Sequence, residues 1–165
     1  MKQIAVDRSG WLSFEGLRFR CALGKGGVRS DKREGDGATP VGQFALRQLF
    51  YRPDRLSAPA CLLSRSAIRP QDGWCDDPAH PDYNRLVVLP HPGRCESMWR
   101  EDGCYDLVVP LGYNDDPPVP GLGSAIFLHV ARPGFAPTEG CVALDRDDLL
   151  TLLAALPVDV EMAIA

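Results

Sequence analysis

Phe127-Leu128-His129-Val130, followed by Thr138-Glu139-Gly140-Cys141-Val142-Ala143-Leu144, is the stretch on which the reading of this chain turns. In the first run Ile126, Leu128 and Val130 fall on one face of a strand, and Phe127 and His129 on the other. A lone histidine at a core edge is ordinarily a satisfied structural group, but Cys141 stands twelve positions further on. The Gly140-Cys141 pair reads as a tight turn opening a helix. Glycine removes side-chain bulk and lets backbone N–H groups converge where an oxyanion forms. A helix starting four residues later is expected to favour a thiolate. If the loop Ala131 to Pro137 folds back, sulfur, base and N–H donors form the kit for acyl transfer through a thioester.

Outward from this stretch the pattern is mostly strand. Ile4-Ala5-Val6 and Trp11-Leu12-Ser13-Phe14 flank Ser9-Gly10 as an opening hairpin. Leu17 to Leu23 alternates with period two and Val41 to Leu46 reads as a strand. Gly24-Lys25-Gly26-Gly27 lacks the Gly-Lys-Ser/Thr ending of a phosphate loop, so it reads as a turn. Arg52 to Pro81 reads as an irregular surface excursion of the kind that carries substrate contacts. Arg85 to Leu89 and Asp106 to Leu111 read as buried strands, and Gly112 to Gly123 as a second long loop. Asp145 caps a helix whose Leu149, Leu152, Leu153 and Leu156 recur at helical spacing until Pro157. Val158, Val160, Met162 and Ile164 alternate as a last strand. The fold expected is mainly β with one packed C-terminal helix and long surface loops.

The 165 residues suit one domain spanning 1–165. A formal net charge of −4, with no basic stripe, argues against nucleic acid as a partner. No apolar run has the length of a membrane span. The first residues lack an apolar signal core, which makes a cytoplasmic location an alternative to export. Cys21, Cys61, Cys75, Cys95, Cys104 and Cys141 are read as mostly buried or loop thiols. Cys75-x4-His80 and His91-x3-Cys95, with Cys104 nearby, hold zinc-ligand types. Paired CxxC spacing is absent, so neither a metal nor any other cofactor is expected.

The roles follow from the residue types. Cys141 attacks a peptide carbonyl, and His129 takes the thiol proton and returns it to the leaving amine. The N–H groups of Gly140, Cys141 and Glu139 are candidates for holding the oxyanion. Thr138 either hydrogen-bonds substrate or braces the turn. No Asp or Asn is placed to orient His129, so a backbone carbonyl is expected to do it.

The His129 strand, the Thr-x-Gly-Cys-Val motif at Thr138 to Val142, and Thr39-Pro40-Val41-Gly42-Gln43-Phe44 together resemble the L,D-transpeptidase (YkuD-type) catalytic domain, over roughly Lys25 to Leu144. The resemblance implies a YkuD-like β-sandwich acting on peptidoglycan stem peptides or muropeptides, in the periplasm or cell envelope; the chain itself is expected to be a monomer. It carries catalytic roles onto Cys141, His129 and Gly140, and gives the carbonyl of Val130 the task of orienting the imidazole. It implies crosslinking by transpeptidation, with L,D-carboxypeptidase trimming of terminal D-Ala and a silent wall-binding module as alternatives. Glu139 stands where the family commonly has His, and Ala143 where an Arg often follows. The His-to-Cys loop is short. Arg132 is expected to supply the missing positive charge, with Tyr113, Asn114 and Arg85 as further substrate-pocket candidates.

Overall fold

Three strands open the chain, β1 (Lys2–Asp7), β2 (Trp11–Phe14) and β3 (Leu17–Ala22), in a computed structural model that describes residues 2–165. β1 and β2 pair antiparallel across Ser9-Gly10 as the hairpin expected. Glu15 (φ 48°) and Gly16 (φ 84°) then form a two-residue turn into β3, the doubly positive φ matching the twist of the flanking strands. β4 (Val28–Arg29), β5 (Thr39–Pro40), β6 (Gly42–Ala45), β7 (Leu49–Tyr51), β8 (Arg65–Ala67), β9 (Asp72–Cys75), β10 (Arg85–Val88), β11 (Cys95–Ser97), β12 (Leu107–Pro110) and β13 (Phe127–Val130) follow. A 3-10 turn at Pro133–Phe135, β14 (Val142–Leu144), helix α1 (Arg146–Ala155) and β15 (Val160–Ile164) complete the chain.

Ten strands form one sheet in the order β6-β15-β1-β2-β3-β14-β13-β12-β7-β8. β6 and β7 lie near opposite ends of that order, yet only Leu46, Arg47 and Gln48 separate them. So short a link forces the sheet to curl on itself. A bridge between Leu46 and Leu111, with Arg47 N–H donating to Pro110 O at 2.9 Å, marks the corner. Inside the curl lies the main core, where Ile4, Leu12, Leu128, Val142, Leu144, Val160 and Met162 meet Leu149, Leu152 and Leu153 of α1. The Asp145 carboxylate accepts from Asp147 N–H at 3.0 Å and caps this helix. Each buried leucine contributes on the order of 1.5–3 kcal/mol. The mainly β, sandwich-like architecture with one packed helix is thus the one expected.

Two expected segments differ. Arg52 to Pro81 is not irregular throughout. It holds β8 and β9, and Asp72 to Cys75 is buried at every position. β10 is not a buried strand, because Leu86 and Val88 are 41% and 58% exposed. It is the edge of a small sheet, β10-β9-β11, and only Val87 turns inward. This sheet covers the outer face of β12 and β13, where Trp74, Met98, Tyr105, Val108, Phe127 and Cys141 form a second cluster. Between these layers lies the candidate site.

Candidate active site

β13 and β14 run parallel, with Leu128 opposite Val142 and His129 opposite Ala143. One step before Val142, Cys141 falls beside Phe127, and Phe127 N–H donates to its Sγ at 3.3 Å. Cys141, Ala143, Phe127 and His129 therefore share the outer face of two adjacent strands. His129 stands two residues, about 7 Å, further along the sheet than Phe127. Strand pairing brings the pair together, with the loop Ala131 to Pro137 as the crossover. The expectation of a cysteine at a helix mouth is corrected here: Cys141 leads into β14, and α1 begins at that strand's far end.

The sulfur is held on both sides. Besides accepting from Phe127, the thiol donates to Ala125 O at 3.3 Å. Ala125 sits at φ 54°, a region that non-glycine residues rarely occupy. Its N–H donates to Asn84 Oδ1 at 3.0 Å, and the same oxygen accepts from Trp74 Nε1 at 2.9 Å. Asn84 also donates to the carbonyls of Tyr113 and Asn114. One buried amide thus ties β9, the 112–123 loop and the residue that holds the thiol. Nothing in the local pattern around Asn84 signals this, since its partners are all remote in sequence.

Thr138 braces the turn. Its hydroxyl donates to Cys141 O at 2.7 Å and accepts from Gly140 N–H at 3.1 Å. Its own N–H and carbonyl bond Leu23 and Lys25. Of the two roles weighed for Thr138, bracing is the one whose contacts are present. The Gly140 N–H is engaged there rather than offered to an oxyanion. Gly140 itself is required by shape: it lies at φ 135°, and a Cβ would stand 2.7 Å from Ala38 O and 3.1 Å from Ile126 Cδ1.

His129 Nδ1 lies 2.8 Å from Val130 O. A carbonyl only accepts, so Nδ1 carries the proton and Nε2 keeps its lone pair. This is the tautomer a general base needs, and the expected carbonyl supplies it. Both His129 and Cys141 are 7% exposed. Burial lowers the imidazole to about 4, against the raising effect of the Val130 carbonyl. Burial likewise raises the Cys141 thiol to about 12, partly offset by the Phe127 N–H. The resting pair is therefore a neutral thiol and a neutral imidazole. The helix field expected to favour a thiolate acts from the far end of β14, and burial opposes it.

Cys141 and His129 both line a cavity of about 380 Å³, with Thr138, Glu139 and Arg132 also in its walls. Glu139 pairs with Lys25 at 3.0 Å and is largely exposed. Arg132 lies 4.0 Å from Asp102. Three expected pocket residues lie elsewhere. Tyr113 donates to Leu122 O at 2.5 Å and stacks edge-on against Phe44. Asn114 bonds Val119 and Gly123. Both brace the 112–123 loop from within. Arg85 is exposed on β10. Sequence reading missed the cavity residues Lys32, Glu34, Arg94, Glu96, Arg100 and Tyr105. Tyr105 packs edge-on to His129 at 5.5 Å and donates to Glu96 at 3.0 Å. Burial raises the Glu96 carboxyl to about 7. Lys32 is buried and paired with Asp36 at 2.9 Å. Lys32 and Glu34 come from the segment before β5, Arg94 and Glu96 from β11 and the turn ahead of it, and Arg100 and Tyr105 from the link to β12, so no local spacing marks them.

The sequence profile of the YkuD family, the L,D-transpeptidase catalytic domain, matches residues 5–163. No curated protein sequence matches the chain. Among solved structures, the helical cell shape determining protein Pgp2 from Campylobacter jejuni aligns with TM-score 0.43 and 13% identity, over 98% of this chain and 46% of that one. Its K307A mutant aligns with TM-score 0.42 and 14% identity, over 99% and 46%. The chain thus spans about half the length of these structures. With the profile running through nearly every residue described above, the chain belongs to the YkuD family of L,D-transpeptidase catalytic domains.

Proposed function

We propose that this domain transfers acyl groups from peptidoglycan stem peptides through a thioester on Cys141, forming crosslinks as an L,D-transpeptidase. The observation that supports this most is the shared placement of Cys141 and His129 on one face of β13 and β14, both lining one cavity, with the His129 tautomer fixed by Val130. Cys141 Sγ attacks the carbonyl carbon joining an L-centre to a terminal D-residue, while His129 Nε2 takes the thiol proton. As the C–N bond breaks, the imidazolium returns that proton to the departing amine. An acceptor amine then attacks the thioester, loses its proton to His129, and the C–S bond breaks to restore the thiol.

The buried resting thiol makes deprotonation part of the attack rather than a step before it. The cavity offers cations on Lys32, Arg94, Arg100 and Arg132 and carboxyl groups on Glu34, Glu96 and Glu139. Both signs suit a donor bearing a free carboxylate and a side-chain ammonium, as a diaminopimelate-type centre does. Arg132 and Arg100 stand in for the arginine that Ala143 replaces. A peptidoglycan substrate supports the periplasm or cell envelope as the compartment of this reaction.

Incubation with purified muropeptides, read by mass, tests the reading. Crosslinked dimers with released D-Ala are the expected products. Release of D-Ala alone would make the domain an L,D-carboxypeptidase, and unchanged muropeptides would reduce it to a wall-binding module.

A further inference from the structure

Behind the cavity wall, β9 and β11 pair so that Cys75 and Cys95 stand directly opposite one another. The turn ahead of β11 returns His91 to the same place. Donor atoms of Cys75, His91 and Cys95 all lie within 4.8 Å of one another, and His91 Nδ1 is 3.3 Å from Cys95 Sγ. A tetrahedral zinc ion, with Zn–S of about 2.3 Å and Zn–N of about 2.0 Å, spaces such donors about 3.4–3.8 Å apart. The His91–Cys95 pair, at 3.3 Å, is already about that close, and the remaining pairs lie within 4.8 Å.

The imidazole holds the tautomer that coordination through Nδ1 needs. Gly93 N–H donates to Nδ1 at 3.0 Å, so that nitrogen carries no proton. The proton sits on Nε2, 2.9 Å from Asp82 Oδ2. A carboxylate behind the distal nitrogen is the usual outer partner of metal-bound histidine. A Cys75–Cys95 disulfide has no use for the imidazole or for its carboxylate.

We propose that Cys75, His91 and Cys95 form a site for a divalent transition metal of the zinc class, with Asp82 orienting His91 and water in the fourth position. The ion displaces the Gly93 contact from Nδ1, and both thiols release their protons to solvent as it binds. Two thiolates then balance the dipositive charge. A second grouping, His80, Asp82 and His91, meets the other side of the same ring, but it lacks the thiolates that zinc prefers. Asp76 follows Cys75, and Arg94 and Glu96 flank Cys95. All three line the cavity, so the metal staples the wall that holds them. Spacing alone argued against this site because its ligands come from two strands and a turn, joined only by the sheet register.

The test uses the full chain purified under reducing conditions without chelator, independently of acyl-transfer activity. Elemental analysis is expected to find about one zinc per chain. Cobalt(II) added to the metal-free protein should give the intense visible bands of a tetrahedral site and near-ultraviolet thiolate charge transfer. Cys75→Ser and Cys95→Ser should each lose charge-transfer intensity, Asp82→Asn should weaken binding roughly 10- to 100-fold, and His80→Ala and Cys141→Ser should retain the metal. The cobalt spectrum of the unsubstituted chain decides the matter even where a variant fails to fold. Three results would overturn the proposal: no stoichiometric zinc or tetrahedral cobalt spectrum, a metal retained by the Cys75→Ser/Cys95→Ser double variant, or a Cys75–Cys95 disulfide in the reduced preparation.

Discussion

Burial moves Cys141 and His129 in opposite directions, the thiol up to about 12 and the imidazole down to about 4. A pair so arranged does not exchange its proton until a carbonyl is in place to take the sulfur's electrons. Alkylation of Cys141 in the free protein is therefore expected to be slow at neutral pH and to climb through the alkaline range. Rapid alkylation persisting to pH 5 would show a resting thiolate instead. His129→Ala should leave that alkylation rate nearly unchanged while lowering acyl transfer by about 10²–10⁴-fold. Gly140→Ala places a Cβ against the Ala38 carbonyl at a positive φ, and should lower stability by about 1–3 kcal/mol in thermal unfolding. An unchanged Tm would mean that the turn relaxes at no cost. His129, Cys141 and the orienting carbonyl of Val130 were legible from sequence because they sit within one strand–loop–strand unit. Tyr113 and Asn114 misled because a polar loop feeding an active strand looks like a substrate loop whether its side chains face the cavity or brace the loop itself.

At the scale of elements, α1 shows local chemistry read correctly. Asp145 caps the helix, and Leu149, Leu152 and Leu153 face the core. Asp145→Ala should cost about 1 kcal/mol and Leu152→Ala about 2–5 kcal/mol in denaturant unfolding. A negligible effect from Leu152→Ala would contradict the helix's place in the core. The opening hairpin, the alternating strand at Leu17 to Leu23 and the last strand were legible for the same reason, alternation between core and solvent. The β10-β9-β11 sheet was not. Asp72-Gly73-Trp74-Cys75 is covered on both faces, which erases alternation, and β10 is an edge strand whose apolar Leu86 and Val88 face solvent. The curl was also hidden, since it follows from strand order, which no single segment carries. The supposed helix mouth at Cys141 failed because Val142–Leu144, between the cysteine and the helix, form strand β14 and set Cys141 at the end of that strand away from α1.

For the molecule as a whole, the same pKa displacements set a stability profile. His129 binds a proton near 6.5 when unfolded but only near 4 when folded. Between those values this imidazole leaves the unfolded chain holding more protons, so its contribution rises with pH up to about 6.5, while Glu96, raised from 4.5 to about 7, works in the opposite sense over that range. The His129 displacement corresponds to about 3 kcal/mol. Cys21 and Cys141, both raised to about 12 from an ordinary 9.0, ionise first in the unfolded chain. Stability should therefore fall again above pH 9. Urea midpoints measured across pH are expected to fall above pH 9, and His129→Gln should remove the imidazole's share of the acid limb between 6.5 and 4, leaving the opposing trend of Glu96. An acid limb unchanged by that substitution would rule out His129 as its source. The central claim, that Cys141 is an acyl-accepting nucleophile, is tested most directly by peptide-mapped mass spectrometry after incubation with a carbapenem, whose strained amide takes the place of the donor bond. The expected result is an acyl adduct on the peptide holding Cys141, slowed in His129→Ala and absent in Cys141→Ser; a folded protein that stays unmodified at Cys141, or acquires the label only on another cysteine, would contradict it.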